Sequence, residues 1–217
     1  MDNCKLLLLM GFIFYFGGVS TRLVVADVRQ SQPLAVKAEV AQLIEKAKKN
    51  DAAAQFDLAT VYARGLGVSQ NPNEAWQWMQ KAAENGHAEA QYWMGYAYFY
   101  GYKESQDRIK ALLWYQKAAA QSYVEAQYMV AAILDSKKYA DIPRNPEDAI
   151  QWYSQAANSG HAFAAFRLGC KSYFGEDVAK NTDSAMEWFK LAGRKGDPGA
   201  LEFVQQQDKE LLKRRCF

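Results

Sequence analysis

Apolar positions along the chain follow two alternating patterns, and both are helical. Ala54, Phe56, Leu58, Ala59 and Tyr62 recur at helical spacing and end at Gly65-Leu66-Gly67-Val68, while Ala90, Tyr92, Met94, Gly95 and Tyr98 do the same before Gly101-Tyr102. Apolar residues three and four apart lie on one helical face, and glycine clusters stop the helix, so each stretch predicts a helix and a turn. The second pattern follows the turn: alanine, two free positions, tryptophan, and an alanine four residues later. It appears as Ala75/Trp78/Ala82, Ala111/Trp114/Ala118, Ala149/Trp152/Ala156 and Ala185/Trp188/Ala192, at offsets of 36, 38 and 36 residues. A fixed period of that size predicts stacked helix-turn-helix modules rather than one compact enzyme core. The expected fold is all-α: an α/α solenoid, a right-handed superhelix of about four repeats with capping helices.

Local signals set the boundaries. Units begin near Asp51, His87, Tyr123 and His161, with a truncated fifth at Asp197. Asn71-Pro72 and Asn145-Pro146 open second helices, since an amide can accept from orphan N–H groups and proline lacks a donor where none is needed. Asp107 and Asn181 fill the same slot. Gly86, Gly160 and Gly196 close second helices, and Ser122 stands in that place in the second unit. Small alanines such as Ala82, Ala83, Ala118 and Ala119 let helices approach, and the four tryptophans are expected to fill the space between neighbours. The third unit lacks a glycine at its inner turn and gains two residues within Lys137 to Arg144, which predicts a longer surface loop. Val40, Leu43, Ile44 and Ala47 mark one face of a helix before the first full unit. The resulting organisation is 1–26 leader, 27–50 N-terminal cap helix, 51–196 four repeats and 197–217 C-terminal capping helix.

In the pattern A-x-A-Q-[YF]-x-[LM]-[GA], glycine turn, [ND]-x-x-x-A-x-x-W-[YFM]-x-x-A-A, the units resemble the Sel-1-like repeats, relatives of the tetratricopeptide repeats. The resemblance implies a helical solenoid and, for exported bacterial members, adaptor or assembly roles in the cell envelope or at host cells. It also carries an alternative, a small-molecule binder or hydrolase of the cysteine-rich repeat type acting on β-lactams or peptidoglycan fragments. This chain lacks the paired cysteine in each unit on which that alternative rests.

Composition narrows the compartment and the chemistry. Lys5, an apolar run from Leu6 to Val19 and Val24-Val25-Ala26 read as a secretory signal cut after Ala26, giving a periplasmic or secreted protein. Beyond it stand two cysteines, Cys170 and Cys216, which permit one disulfide or two thiols. A net charge of +2 with no basic stripe outside Lys209, Lys213, Arg214 and Arg215 argues against nucleic acid. That terminal cluster suits a helix C-terminus. No nucleophile elbow, zinc motif or phosphate loop occurs, so no catalytic residue, metal or cofactor is expected. His87 and His161 fall at the same repeat position and are expected to cap or pack.

The remaining surface is the face of the first helices. Spacing of four, three and four selects Ala53, Asp57, Thr60 and Arg64; Glu89, Trp93, Tyr96 and Tyr100; Glu125, Met129, Ala132 and Ser136; and Phe163, Arg167, Cys170 and Phe174. The second set is rich in aromatics, which bury much area at low entropic cost. The expected partner site is therefore Trp93, Tyr96 and Tyr100 rimmed by Arg64, Glu89, Glu125 and Arg167. It would hold a protein or peptide ligand from the envelope or a host, with a membrane touched only by the precursor's leader.

Overall fold

The structure, a computed structural model, describes residues 33–103 and 105–217, so the expected leader lies outside the described residues. They form eleven helices and no strand. None is long and apolar enough to cross a membrane. The chain divides into two compact units, one ending at Met94 and the other running from Gly95 to Phe217.

The first unit holds α1 (Pro33–Lys48), α2 (Ala52–Arg64), α3 (Pro72–Glu84) and the start of α4 (Ala88–Tyr100). Its core joins Val40 and Ala47 of α1 to Ala54, Leu58 and Val61 of α2, with Leu43, Ile44, Tyr62 and Trp78 packed around them. The apolar face expected before the first full repeat is thus the face that α1 buries. Asp51 caps α2 by accepting from the Ala54 N–H at 3.0 Å. Gly65 ends the helix at φ 69°, a left-handed value that glycine adopts without steric cost. Buried Gln55 then ties three elements together. Its Nε2 donates to the Ala47 carbonyl at 3.0 Å, and its Oε1 accepts from Asn85 at 2.8 Å.

The second unit continues with α5 (Arg108–Ala120), α6 (Val124–Asp135), α7 (Pro146–Asn158), α8 (Ala162–Phe174), α9 (Thr182–Arg194), α10 (Pro198–Gln206) and α11 (Lys209–Cys216). From α5 to α10 each helix packs on the next. Asp107, Asn145 and Asn181 cap α5, α7 and α9 through their side chains, as the sequence predicts. Each such cap is worth about 1 kcal/mol. Ser122 adopts the left-handed conformation, φ 63°, that Gly86, Gly160 and Gly196 take in the other repeats.

The tryptophans are not the deepest residues of their cassettes. Trp78, Trp114, Trp152 and Trp188 are half-buried, and lysines lie over two of them, Lys81 and Lys117 each 4.1 Å from the ring centroid. The next residue is the core plug: Met79, Tyr115, Tyr153 and Phe189 are 0–3% exposed. Tyr115 and Phe189 face the first helix of their own repeat, and the tryptophans beside them stay half-buried. Glycines make room for two plugs. A Cβ at Gly95 would lie 2.7 Å from the Tyr115 ring, and one at Gly169 would lie 2.5 Å from Phe189. Burying such a side chain contributes about 1.5–3 kcal/mol.

The chain end folds back. Cys216 forms a disulfide with Cys170 of α8, with Cα atoms 5.6 Å apart and a sequence separation of 46. In the chain-entropy account a loop of that size stabilises the fold by about 4 kcal/mol. Arg215 pairs with the α10 cap Asp197 at 3.2 Å and lies over the Phe166 ring at 4.6 Å.

Candidate partner-binding surface

The end of α4 and the turn after it carry an aromatic group within the second unit. The Tyr96 and Tyr100 rings are 4.4 Å apart, and Tyr102 stacks on Tyr96 at 5.8 Å. Phe99 is buried and meets Tyr139 edge-on at 5.6 Å, anchoring the turn to the third repeat's loop. Tyr100 is 51% exposed and forms the accessible part. Burial first, and then the neighbouring Tyr102 and Tyr100, push the Tyr96 phenol up to about 12. Tyr100 and Tyr128 are also raised, chiefly by burial. These phenols stay neutral at physiological pH and keep their O–H groups as donors.

The selected charged residues belong to both units. In the first unit, Arg64 is exposed in the last turn of α2, Glu89 is half-buried in the first turn of α4, and half-buried Trp93 meets Tyr92 edge-on at 5.2 Å. In the second unit Glu125 is exposed at the start of α6. With His161 and the exposed Phe163 it borders a shallow hollow of about 460 Å3. Arg167 is held internally. It donates to the Cys216 carbonyl at 2.6 Å and to Asp135 at 3.1 Å. Phe174, in the same face of α8, meets Phe217 at 5.1 Å. The chain's own last residues therefore cover the part of the fourth repeat's face formed by Arg167, Cys170 and Phe174.

Asp135, where α6 ends, is the centre of an ion cluster that sequence reasoning missed. Lys171, 1% exposed, donates to Asp135 at 2.7 Å and to Asp177 at 2.8 Å. Arg144 bonds the Asp135 carbonyl through Nε at 3.0 Å and bridges to the carboxylates of Asp135 and Asp177. Burial alone would raise Asp135, but hydrogen bonds and charge from Lys171 and Arg167 hold it below the usual range. Asp177 lies at about 2, first because Arg144 bonds its carboxylate. The extra loop of the third repeat is thereby pinned, with Ile142 buried beneath it. A signal was present: Lys171 occupies the register of Val61, Ala97 and Ile133, and Asp135 that of Ala63, Phe99 and Tyr173.

The histidines cap and pack. His87 Nδ1 accepts from the Ala90 N–H at 3.3 Å and its ring stacks on Phe56 at 4.3 Å. His161 repeats the arrangement with Ala164 at 3.1 Å and Tyr128 at 4.4 Å. Burial depresses both imidazoles, which keeps Nδ1 free to accept.

The Sel1 repeat family model matches residues 52–87, 88–123, 124–161 and 162–197. Among solved structures, a Sel1 repeat protein from Oxalobacter formigenes is 31% identical over 80% of this chain and 49% of its own length, with a TM-score of 0.69. A second, c5321, is a protective antigen present in uropathogenic Escherichia coli strains that displays an SLR fold. It is 31% identical over 78% of this chain and 36% of its own, with a TM-score of 0.64. The chain thus spans about half of the first protein and about a third of the second. Comparison with curated proteins finds no match. Sel1 repeat proteins generally mediate protein–protein interactions and are typically non-enzymatic scaffolds. With four matched repeats carrying the cap, turn and plug positions described above, this chain belongs to the Sel1 repeat family.

Proposed function

We propose that the chain is an exported interaction module, periplasmic or secreted, that holds a segment of a partner protein on the aromatic face of its second unit. The carrying observation is Tyr100, half-exposed at the end of α4 beside Tyr96 and Tyr102. Such a surface offers large apolar area with phenolic donors and little rotamer entropy to lose. The disulfide between Cys170 and Cys216 supports an oxidising compartment, because such bonds persist outside the cytosol. On this reading the partner belongs to the cell envelope or to a host, and the role is that of an adaptor.

The test places a photo-crosslinking residue at Tyr100 and at the exposed Gln77 as a control, with capture from the envelope fraction. One adduct at Tyr100, absent at Gln77 and lost in Tyr96→Ala with little change in melting temperature, is the expected result. Equal adducts at both positions, or capture unchanged by Tyr96→Ala, would remove the assignment.

A further inference from the structure

The four repeats allow a comparison inside one chain, and the outer face of α5 stands apart. Ile109 and Leu113 are 54% and 55% exposed, one helical turn apart. At the same two positions the other repeats carry Asn73 and Gln77, Glu147 and Gln151, and Asp183 and Glu187, all exposed. Single exposed aliphatics are ordinary, but a pair on one helical face where every sister repeat is polar is a departure. With Gln116 and Ala120 the pair extends a stripe at i, i+4, i+7 and i+11, the spacing by which one helix reads another.

Charge changes at the same place. The helix Arg108–Ala120 contains Arg108, Lys110 and Lys117 and no carboxylate, whereas α7 contains Glu147 and Asp148 and no cation. Two of the three cations have a carboxylate nearby: Lys110 is 3.6 Å from the cap Asp107, and Arg108 is 3.5 Å from Asp141. Lys117 lies over the Trp114 ring. Counting those two carboxylates, the face remains net positive.

We infer that the outer face of α5 is a second docking surface, independent of the aromatic face, and that it receives an acidic amphipathic helix of a partner protein. Ile109 and Leu113 enter the partner's apolar stripe, and Lys110 and Lys117 meet its flanking carboxylates. A second copy of this chain is disfavoured there, since two α5 faces would bring like charges together. A membrane surface fits less well, because interfacial helices present a broad apolar face with aromatics, whereas this stripe holds only two large aliphatics.

The test uses the full-length protein and a fluorescent synthetic helix of about 21 residues, long enough to hold helical structure. It is built of Leu, Ala and Glu, with leucines at i, i+3 and i+4 spacing, and a matched peptide carries Lys for Glu. The Glu peptide should bind the wild type and weaken as salt rises, and the Lys peptide should not bind. Ile109→Asn with Leu113→Gln, the residues of the first repeat at those positions, should weaken binding at least about tenfold, equal to about 1.4 kcal/mol. Lys110→Glu, again the first repeat's residue, should weaken it by several fold, while Tyr96→Ala leaves it unchanged. The inference falls if the Glu peptide fails to bind, if the double variant binds it equally, or if the Lys peptide binds as well. Binding only to vesicles rich in phosphatidylserine would overturn it in favour of a membrane surface.

Discussion

The turn inside the first repeat and the turn inside the third close the same connection with different chemistry. In the first, Gly65 ends α2 and Gln70 donates to the Ala63 carbonyl at 2.8 Å. In the third, α6 ends in extended backbone at Ser136, and Arg144 takes Gln70's place by donating to the equivalent carbonyl, that of Asp135. Both are followed by the same backbone bond, Asn71 to Tyr62 and Asn145 to Leu134, at 2.9 Å. A neutral amide finishes its task locally. A guanidinium brings charge with it, so the third turn must gather Asp135, Asp177 and Lys171 to satisfy it, and Asp135 in turn engages Arg167, which holds the chain end. The lesson is that an ionic turn couples segments that an amide turn leaves independent.

Removing the centre of that coupling has the largest expected effect. Asp135→Ala leaves Lys171 buried with fewer partners, and urea unfolding should show a loss of about 3–5 kcal/mol, the usual cost of breaking a buried pair. A change in the first turn should cost less: Gln70→Ala leaves the Ala63 carbonyl to water, and about 1 kcal/mol or less is expected in the same assay. Next comes the packing difference between repeats. Ala59 stands where the fourth repeat has Gly169 against Phe189, so Gly169→Ala should destabilise by about 1–3 kcal/mol through overpacking. Ala59→Gly should cost only about 1 kcal/mol, from helix propensity. Smallest is Ser122→Gly, which relieves a left-handed serine and should raise the unfolding free energy in the same assay by less than about 1 kcal/mol.

Much of the frame was legible because repeats restate their rules. The caps at Asp107, Asn145 and Asn181, the face of α1 and the left-handed closures each rest on local backbone chemistry, which sequence carries directly. The depth of Tyr115 and Phe189 relative to Trp114 and Trp188 was not legible, because period alone does not say which of two adjacent aromatics points at the neighbouring helix. Reading Arg167 as a rim residue failed to anticipate its internal bonds for a related reason. Charged helix residues usually face solvent, and only comparison across repeats at Asp135 and Lys171 reveals them in core register. Spacing put Tyr100 on the face left over after packing positions, without deciding between surface and core, and its grouping with Tyr102 depends on how the turn after α4 folds.

Hydrogen exchange followed from pH 5 to pH 2, corrected for intrinsic rates, tests the contrast between the two turns most directly. Asp135 and Asp177 have folded pKa values below their unfolded ones, so their contribution is complete above the unfolded value near 4 and is lost as pH falls through the folded values, about 2 for Asp177. Protection of amides in residues 136–145 should fall steeply across that range, while protection in residues 65–71 declines only with the global stability of its unit. Parallel loss in both turns would contradict the claim that the third turn is held by charge.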